Sequence, residues 1–375
     1  MSHHGLVASH KPNTRRHWHD PLVYAGVVGS TALIRGLGPA VSRSLFAEVG
    51  DLYSRAPMNR HRIERAIEHI RWCFPELTLD AARKMAHESY RHMFLLAAEG
   101  AMSPRHYDFT RWPDWVELGK VDRAVRLMLA GPTILITAHL GNWEMLGAWL
   151  GSIGLPMHAV YRPLDSQPLN NWATRSRAKL GLDLVDKFGA SEILPDLLRQ
   201  GEPIGFTADQ DAGERGLFVP FFNRLASTYK SIGLLALRHN APIICGGSWR
   251  LTTPGQSIGA SPMRFHIDAV DIITPGDWAD QPDPLFYITA RYRRAIETMI
   301  RQAPEQYLWM QKAWRSRPRF ERLGRPMPSS LRTKLEALPW MTDQSLSRLM
   351  TQSQLDTKTI STPPATPTHA ASTIN

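Results

Sequence analysis

The chain has 375 residues, 43% of them hydrophobic and 21% charged, which excludes a wholly disordered or fibrous protein and leaves room for two or three units or one large α/β domain. Lys and Arg outnumber Asp and Glu by 44 to 34, and the net charge of +10 favours anionic partners: nucleic acid, anionic lipid or an acidic carrier protein. Two cysteines, Cys73 and Cys245, make neither a disulfide framework nor a structural zinc site, so the chain reads as reduced and intracellular.

Residues 1–20 read as a disordered lead-in without a secretory signal, and residues 21–110 as a helical region. The stretch Pro21–Ile34 holds 14 uncharged residues, whereas a spanning helix needs about 20. It suits a core helix or a helix lying in the headgroup layer, because Arg15, Arg16, Arg35 and Arg43 flank it. Ile63, Ile67 and Ile70 then recur at helical spacing until Pro75. Thr78 offers an N-cap to the next helix, where Met85, Ser89 and Met93 share a core-like face.

The pattern changes at Gly131. Short apolar runs (TILITAHL, MHAVYRP, LDLVDK, PIGFTADQ, PIICGGSWR, MRFHIDAVDI) alternate with helical ones. That alternation predicts an α/β domain over 111–321, with a mostly parallel central sheet flanked by helices and ligand groups at the carboxyl ends of the strands. The run FVPFF suits either an apolar wall for a ligand or a core strand. Lys312, Trp314, Arg315, Arg317 and Arg319 read as a solvated face or an interfacial anchor; with no RNA-binding fingerprint, nucleic acid is not expected as a partner. Residues 322–375 end in Ser, Thr and Pro and read as a mostly disordered tail.

The best chemical candidate directly follows TILITA: His139 and, five positions on, Glu144. Chance alone supplies roughly one or two such pairs in a chain with 15 His and 34 acids. A second pair, His266 and Asp271, lies inside one alternating strand, where residues five apart face opposite sides. His139 and Glu144 instead straddle a strand, a turn through Gly141 and Asn142, and a helix start. The carboxylate could hold one ring nitrogen while the other acts as a base on a substrate hydroxyl, with no serine required. By position alone, a structural His139 stays open. No H-E-x-x-H, Cys/His cluster, GxGxxG or P-loop is present, so neither metal nor cofactor is expected.

These residues carry a resemblance. AHLGNWEMLG resembles the H-x4-D/E motif of the lipid A biosynthesis late acyltransferases, within the wider glycerolipid acyltransferase superfamily. IRWCFPELTLD, MHAVYRPLD, ADQDAGERGLFVPFFNRLASTYKSIGLLALRHNAPIICG and PEQYLWMQKAWRSRP resemble further blocks of that family, in the same order, over roughly residues 20–320. Asn223 stands where the family commonly has Gly, and Gln311 and Ala313 replace its usual His and Arg.

The resemblance implies a membrane-associated O-acyltransferase with a glycerolipid acyltransferase-like fold, peripheral or monotopic on the cytoplasmic face of the inner membrane. Its donor would be an acyl thioester, on acyl carrier protein or coenzyme A, and its acceptor a lipid A-type or related membrane lipid. His139 would be the base and Glu144 its orienting acid, with Arg162, Asp209 and Asn142 contacting substrate. A different lipid acceptor with an acyl-CoA donor, or a hydrolase or transacylase, are the alternatives.

Overall fold

The computed structural model describes residues 20–106, 111–155, 157–179, 181–253, 258–261 and 263–361. The expected lead-in, apart from Asp20, lies outside the described residues. The described residues open with α1 (Asp20–Leu37), α2 (Pro39–Arg55), α3 (Arg60–Cys73) and α4 (Leu79–His106). The α/β part runs β1 (Val116–Leu118), α5 (Asp122–Ala130), β2 (Ile134–Thr137), α6 (Trp143–Ser152), β3 (Met157–Tyr161), α7 (Gln167–Ala178), β4 (Leu182–Asp186), α8 (Ala190–Arg199) and β5 (Ile204–Thr207). It continues as β6 (Leu217–Phe221), β7 (Arg224–Thr228), α9 (Lys230–His239), β8 (Ile243–Arg250), β9 (Phe265–Ile273), α10 (Pro275–Trp278) and α11 (Pro284–Gln302). The last described elements are α12 (Arg319–Arg322), α13 (Ser329–Glu336) and α14 (Asp343–Ser361).

The central sheet has the order β1-β9-β8-β2-β5-β3-β4. Every neighbouring pair is parallel except β8 with β9. β2 reads as an unbroken apolar run because both its faces are covered. Ile134 and Ile136 join the cluster built with Ile288 and Ile296 of α11, while Leu135 faces Leu146 and Trp149 of α6. β2 and β5 are adjacent, with Thr137 opposite Thr207, and the ladder extends one step through Ala208 N–H to Thr137 O at 3.0 Å. The two strands therefore end level. Residues two places beyond each end, His139 and Asp209, emerge side by side.

The N-terminal helices differ in what they cover. α4 packs against α2 and α3, and its Ser89 is fully buried, as the core-like stripe predicts. α1 and α2 leave Leu22, Val28, Leu33, Val41, Leu45 and Leu52 exposed. Arg43 does not flank that surface as expected: it is 2% exposed and ion-paired with Glu99.

The expected disorder after 322 does not hold through residue 361. α13, the turn after it and α14 bury Leu335, Leu338 and Leu349 respectively against the domain. Arg317 Nη2 meets Asp356 Oδ2 at 2.7 Å and Glu321 Oε2 at 2.7 Å, and Arg317 Nη1 donates to Leu225 O at 2.7 Å. Trp314 is buried and stacked on Phe221, with ring centroids 5.2 Å apart. Arg317 therefore ties α12 and α14 to the core and Trp314 packs within it, so neither is an interfacial anchor. The Ser/Thr/Pro-rich end from 362 lies outside the described residues.

His69, wedged between Trp72 and Trp314, illustrates the cost of that core. Burial pushes its pKa down to about 4 against the hydrogen bond to Trp309 O, and Arg65 and Arg224 add to the shift. The unfolded ring takes up a proton near pH 6.5 while the folded one stays neutral, so stability is lost as pH falls below that point. The expected slope is on the order of 1.4 kcal/mol per pH unit between about pH 6 and 4. Chemical denaturation of wild type and His69→Phe across that range measures it; the variant should show a flatter acid limb.

Candidate active site

After β2 the chain must turn sharply to start α6 against the same sheet edge. Gly141 takes φ +58°, and a Cβ there would collide with the Ser248 carbonyl oxygen, so only glycine fits. Asn142 Oδ1 caps α6, accepting from Met145 N–H at 3.0 Å. The turn delivers His139 to the carboxyl edge, where the ring packs edge-on to Trp143 at 5.0 Å and remains 21% exposed.

The level ends of β2 and β5 settle the ring's partner. His139 Nδ1 lies 2.8 Å from Asp209 Oδ1, and Asp209 is fully buried. Burial pushes the Asp209 carboxyl up, but His139 and then Arg293 outweigh that and hold it below the usual carboxylate range. An ionised carboxylate only accepts, so Nδ1 carries the proton and Nε2 is left as a base. Arg293, itself fully buried, donates from Nη1 to Ala208 O at 3.2 Å and lies over the Phe221 ring at 3.9 Å.

Glu144 is not the partner of the ring. Arg177 of α7 grips its carboxylate, with Nε 3.0 Å and 2.9 Å from the two oxygens and Nη2 2.5 Å from Oε1. Glu144 opens α6 as expected, but it faces α7, whose place beside the turn could not be inferred from β2–turn–α6 alone. Asn142 also departs from the expected substrate contact: it is 2% exposed, and its Nδ2 donates to Glu99 Oε2 at 2.8 Å. Arg162 stands where expected, exposed past the end of β3, with no ion pair among the described residues. The control pair behaves as strand geometry predicts, since His266 approaches Glu117 while Asp271 binds Arg291.

His139, Glu144, Arg162, Arg177 and Gln210 rim a cleft of about 400 Å³. Behind them it runs between α6 and the sheet past Leu135, Leu146, Gly147 and Phe206, ending at Met157 and Leu182, which begin β3 and β4. From Met157 to Tyr161 that is about 13 Å of strand. The cleft thus offers a charged mouth and an apolar interior suited to one alkyl chain. FVPFF is not its wall: Val219 and Phe221 lie buried in the core. Among the described residues no serine or cysteine lines the cleft, and Cys73 and Cys245 are buried with their thiols pushed well up by that burial.

Sequence reasoning missed Arg177 and Arg293 altogether and mistook the role of Asp209. One signal was available. ILITAH and IGFTAD each end a strand with Thr-Ala followed by the functional residue, so adjacent parallel pairing brings His139 and Asp209 level. Arg177, in a run of mixed Arg and Lys, carries no mark that separates it from a solvated helix face.

Residues 9–316 match the family described as Bacterial lipid A biosynthesis acyltransferase. The chain is 26% identical over 271 residues to the lipid A biosynthesis palmitoleoyltransferase of Escherichia coli (strain K12), covering 70% of this chain and 81% of that protein. It is likewise 26% identical to the lipid A biosynthesis lauroyltransferase of the same organism, covering 81% and 93% of the two. The phosphatidylinositol mannoside acyltransferase of Mycolicibacterium smegmatis is 23% identical, over 68% of this chain and 88% of its own. Among solved structures, the 1-acyl-sn-glycerophosphate (LPA) acyltransferase PlsC of Thermotoga maritima aligns with a TM-score of 0.33 and 11% identity, covering 72% of this chain and 98% of that one.

Proposed function

This chain belongs to the bacterial lipid A biosynthesis acyltransferase family, and from that premise we propose that it moves a fatty acyl group from acyl carrier protein to a hydroxyl of a lipid A-type acceptor, with His139 as general base. The observation that carries this reading is the His139–Asp209 hydrogen bond at the mouth of an apolar cleft.

The chain is an O-acyltransferase by family, and its residues suggest the following chemistry. The acceptor hydroxyl gives its proton to His139 Nε2 as its oxygen attacks the thioester carbonyl carbon. Asp209 stabilises the imidazolium that forms. The tetrahedral intermediate collapses, the carbon–sulfur bond breaks, and the departing thiolate recovers the proton from His139. The exposed guanidinium of Arg162, without an ion pair among the described residues, can bind the oxyanion or the acceptor's phosphate, which it matches as a two-pronged donor. A cleft without serine or cysteine weighs against a hydrolase or transacylase with a covalent intermediate.

No helix among the described residues is long and apolar enough to cross a membrane. The exposed apolar side chains of α1 and α2 suit peripheral seating on the cytoplasmic face of the inner membrane, and the net charge of +10 suits both anionic lipid and an acidic carrier protein. A second reading has a different membrane lipid as acceptor and coenzyme A as carrier; the relative named for a phosphatidylinositol mannoside favours the acceptor half of it.

The test presents the full chain with a lipid A precursor or phosphatidylinositol mannoside in anionic vesicles, and with acyl carrier protein or coenzyme A thioesters. Mass spectrometry then identifies the acylated lipid. Ester formation on the lipid A precursor from the carrier protein, by enzyme that floats with the vesicles, is the expected result. Acylation of the mannoside from coenzyme A alone would establish the second reading, and release of free fatty acid alone would overturn both.

A further inference from the structure

Behind the His139 turn, α4 buries a carboxylate that no substrate can reach. Glu99 is fully buried, and both its oxygens accept from Arg250 Nε at 2.9 Å. Arg43 Nε of α2 approaches Oε1 at 3.3 Å, and Asn142 Nδ2 donates to Oε2 at 2.8 Å. Arg250, itself 3% exposed, also donates from Nη1 to Gly141 O at 3.1 Å and to His92 Nδ1 at 2.9 Å. Gln306 completes the frame: its side chain spans the backbone N–H and C=O of Arg250 at 2.9 Å and 3.0 Å, and its carbonyl accepts from Gly141 N–H at 3.0 Å.

The bonds converge on one short segment. His139 O, both backbone groups of Gly141, and the backbone N–H and side chain of Asn142 are all engaged. Glu99, Arg43, Arg250 and Asn142 do not line the cleft. Burying two guanidinium groups on one carboxylate is a poor route to stability, because well-packed apolar residues commonly do as well or better. Such a cluster does, however, impose a single geometry, and here that geometry is the turn carrying the base.

We infer that the Glu99–Arg250 pair is a positioning unit for His139: through Asn142 and Gly141 it fixes the turn so that the ring stays on Asp209. Arg43 extends the unit to α2, joining the helix layer with the exposed apolar surface to the catalytic turn. The inference rests on His139 being the base. A misplacement near 1 Å at such a site can cost about a hundredfold in rate.

Asn142→Ser tests it, because serine still caps α6 but is too short to reach Glu99. In steady-state kinetics on the full chain, kcat should fall about ten- to a hundredfold while KM for the thioester stays within about twofold. In an Asp209→Asn background, where Nε2 already carries the ring proton and the base is blocked, the same change should cost less than about threefold. An unchanged kcat, or equal losses in both backgrounds, would overturn the inference. Should Asn142→Ser not fold, Glu99→Gln is read in the same way; if neither folds, the pair serves folding and the inference fails. A His139→Ala enzyme that keeps turnover would instead sink the base assignment, which separates the two failures.

Discussion

His139→Ala is expected to lower acyl transfer by about 10²–10⁴-fold, the range a positioned general base contributes. The loss should fall on kcat, since the apolar cleft interior proposed to take the acyl chain lies along α6 and the sheet and does not depend on the ring. Folding should survive. The imidazole is partly exposed and packs mainly on Trp143, so its removal opens no sealed cavity. It does leave the buried Asp209 with one hydrogen-bond partner fewer, a cost on the order of 1–3 kcal/mol. A melting curve recorded beside the rate separates lost chemistry from lost protein. Turnover within threefold of wild type in a folded variant would remove His139 from the mechanism.

Much of the domain was readable because strand and helix periodicities are local. TILITA, MHAVYRP and PIGFTADQ needed only their own apolar patterns to be placed as β2, β3 and β5, and Gly141 marked its turn by composition. What periodicity does not carry is strand order. β5 sits beside β2, with β3 and β4 beyond it, and that adjacency is what gives Asp209 to His139. A local argument favoured Glu144 because it is near in sequence, yet α7 arrives from a separate segment to bind it. The C-terminal helices were hidden for a related reason. The composition of the final Ser/Thr/Pro stretch was extended backward over Leu335, Leu338 and Leu349, whose burial depends on α11 and the β6–β7 hairpin.

The site therefore separates tasks that a single His–acid pair would combine. Asp209 is sealed, charged and in contact with the ring; Glu144 is partly exposed at the cleft wall and neutralised by Arg177. An acid that orients a base gains from burial, because the field between carboxylate and imidazolium is stronger away from water. An acid at the rim is better placed to fix α7 beside the cleft, and with it one wall of the cleft.

Asp209→Asn and Glu144→Gln should consequently fall unequally. Asparagine at 209 can donate its amide N–H to Nδ1, which fixes the ring in the tautomer with the proton on Nε2, where a base must be free. In a comparable His–Asp arrangement that change costs about 10⁴ in kcat, and a loss of about 10³–10⁴ is expected here with the fold intact. Glu144→Gln removes only the charge opposite Arg177, and the broken ion pair should lower kcat/KM about ten- to a hundredfold, mostly through KM for the thioester as α7 loosens. The pH dependence of stability should also separate the two variants. The folded Asp209 carboxyl lies below its unfolded value, so its contribution is complete above about pH 4 and fades as pH falls below it. Asp209→Asn should lose that acid limb, whereas Glu144→Gln should keep it. Were Glu144→Gln the more damaging change in kcat, the ring would have to turn from Asp209 to Glu144 during the reaction, and the assignment of Asp209 as its orienting acid would fall.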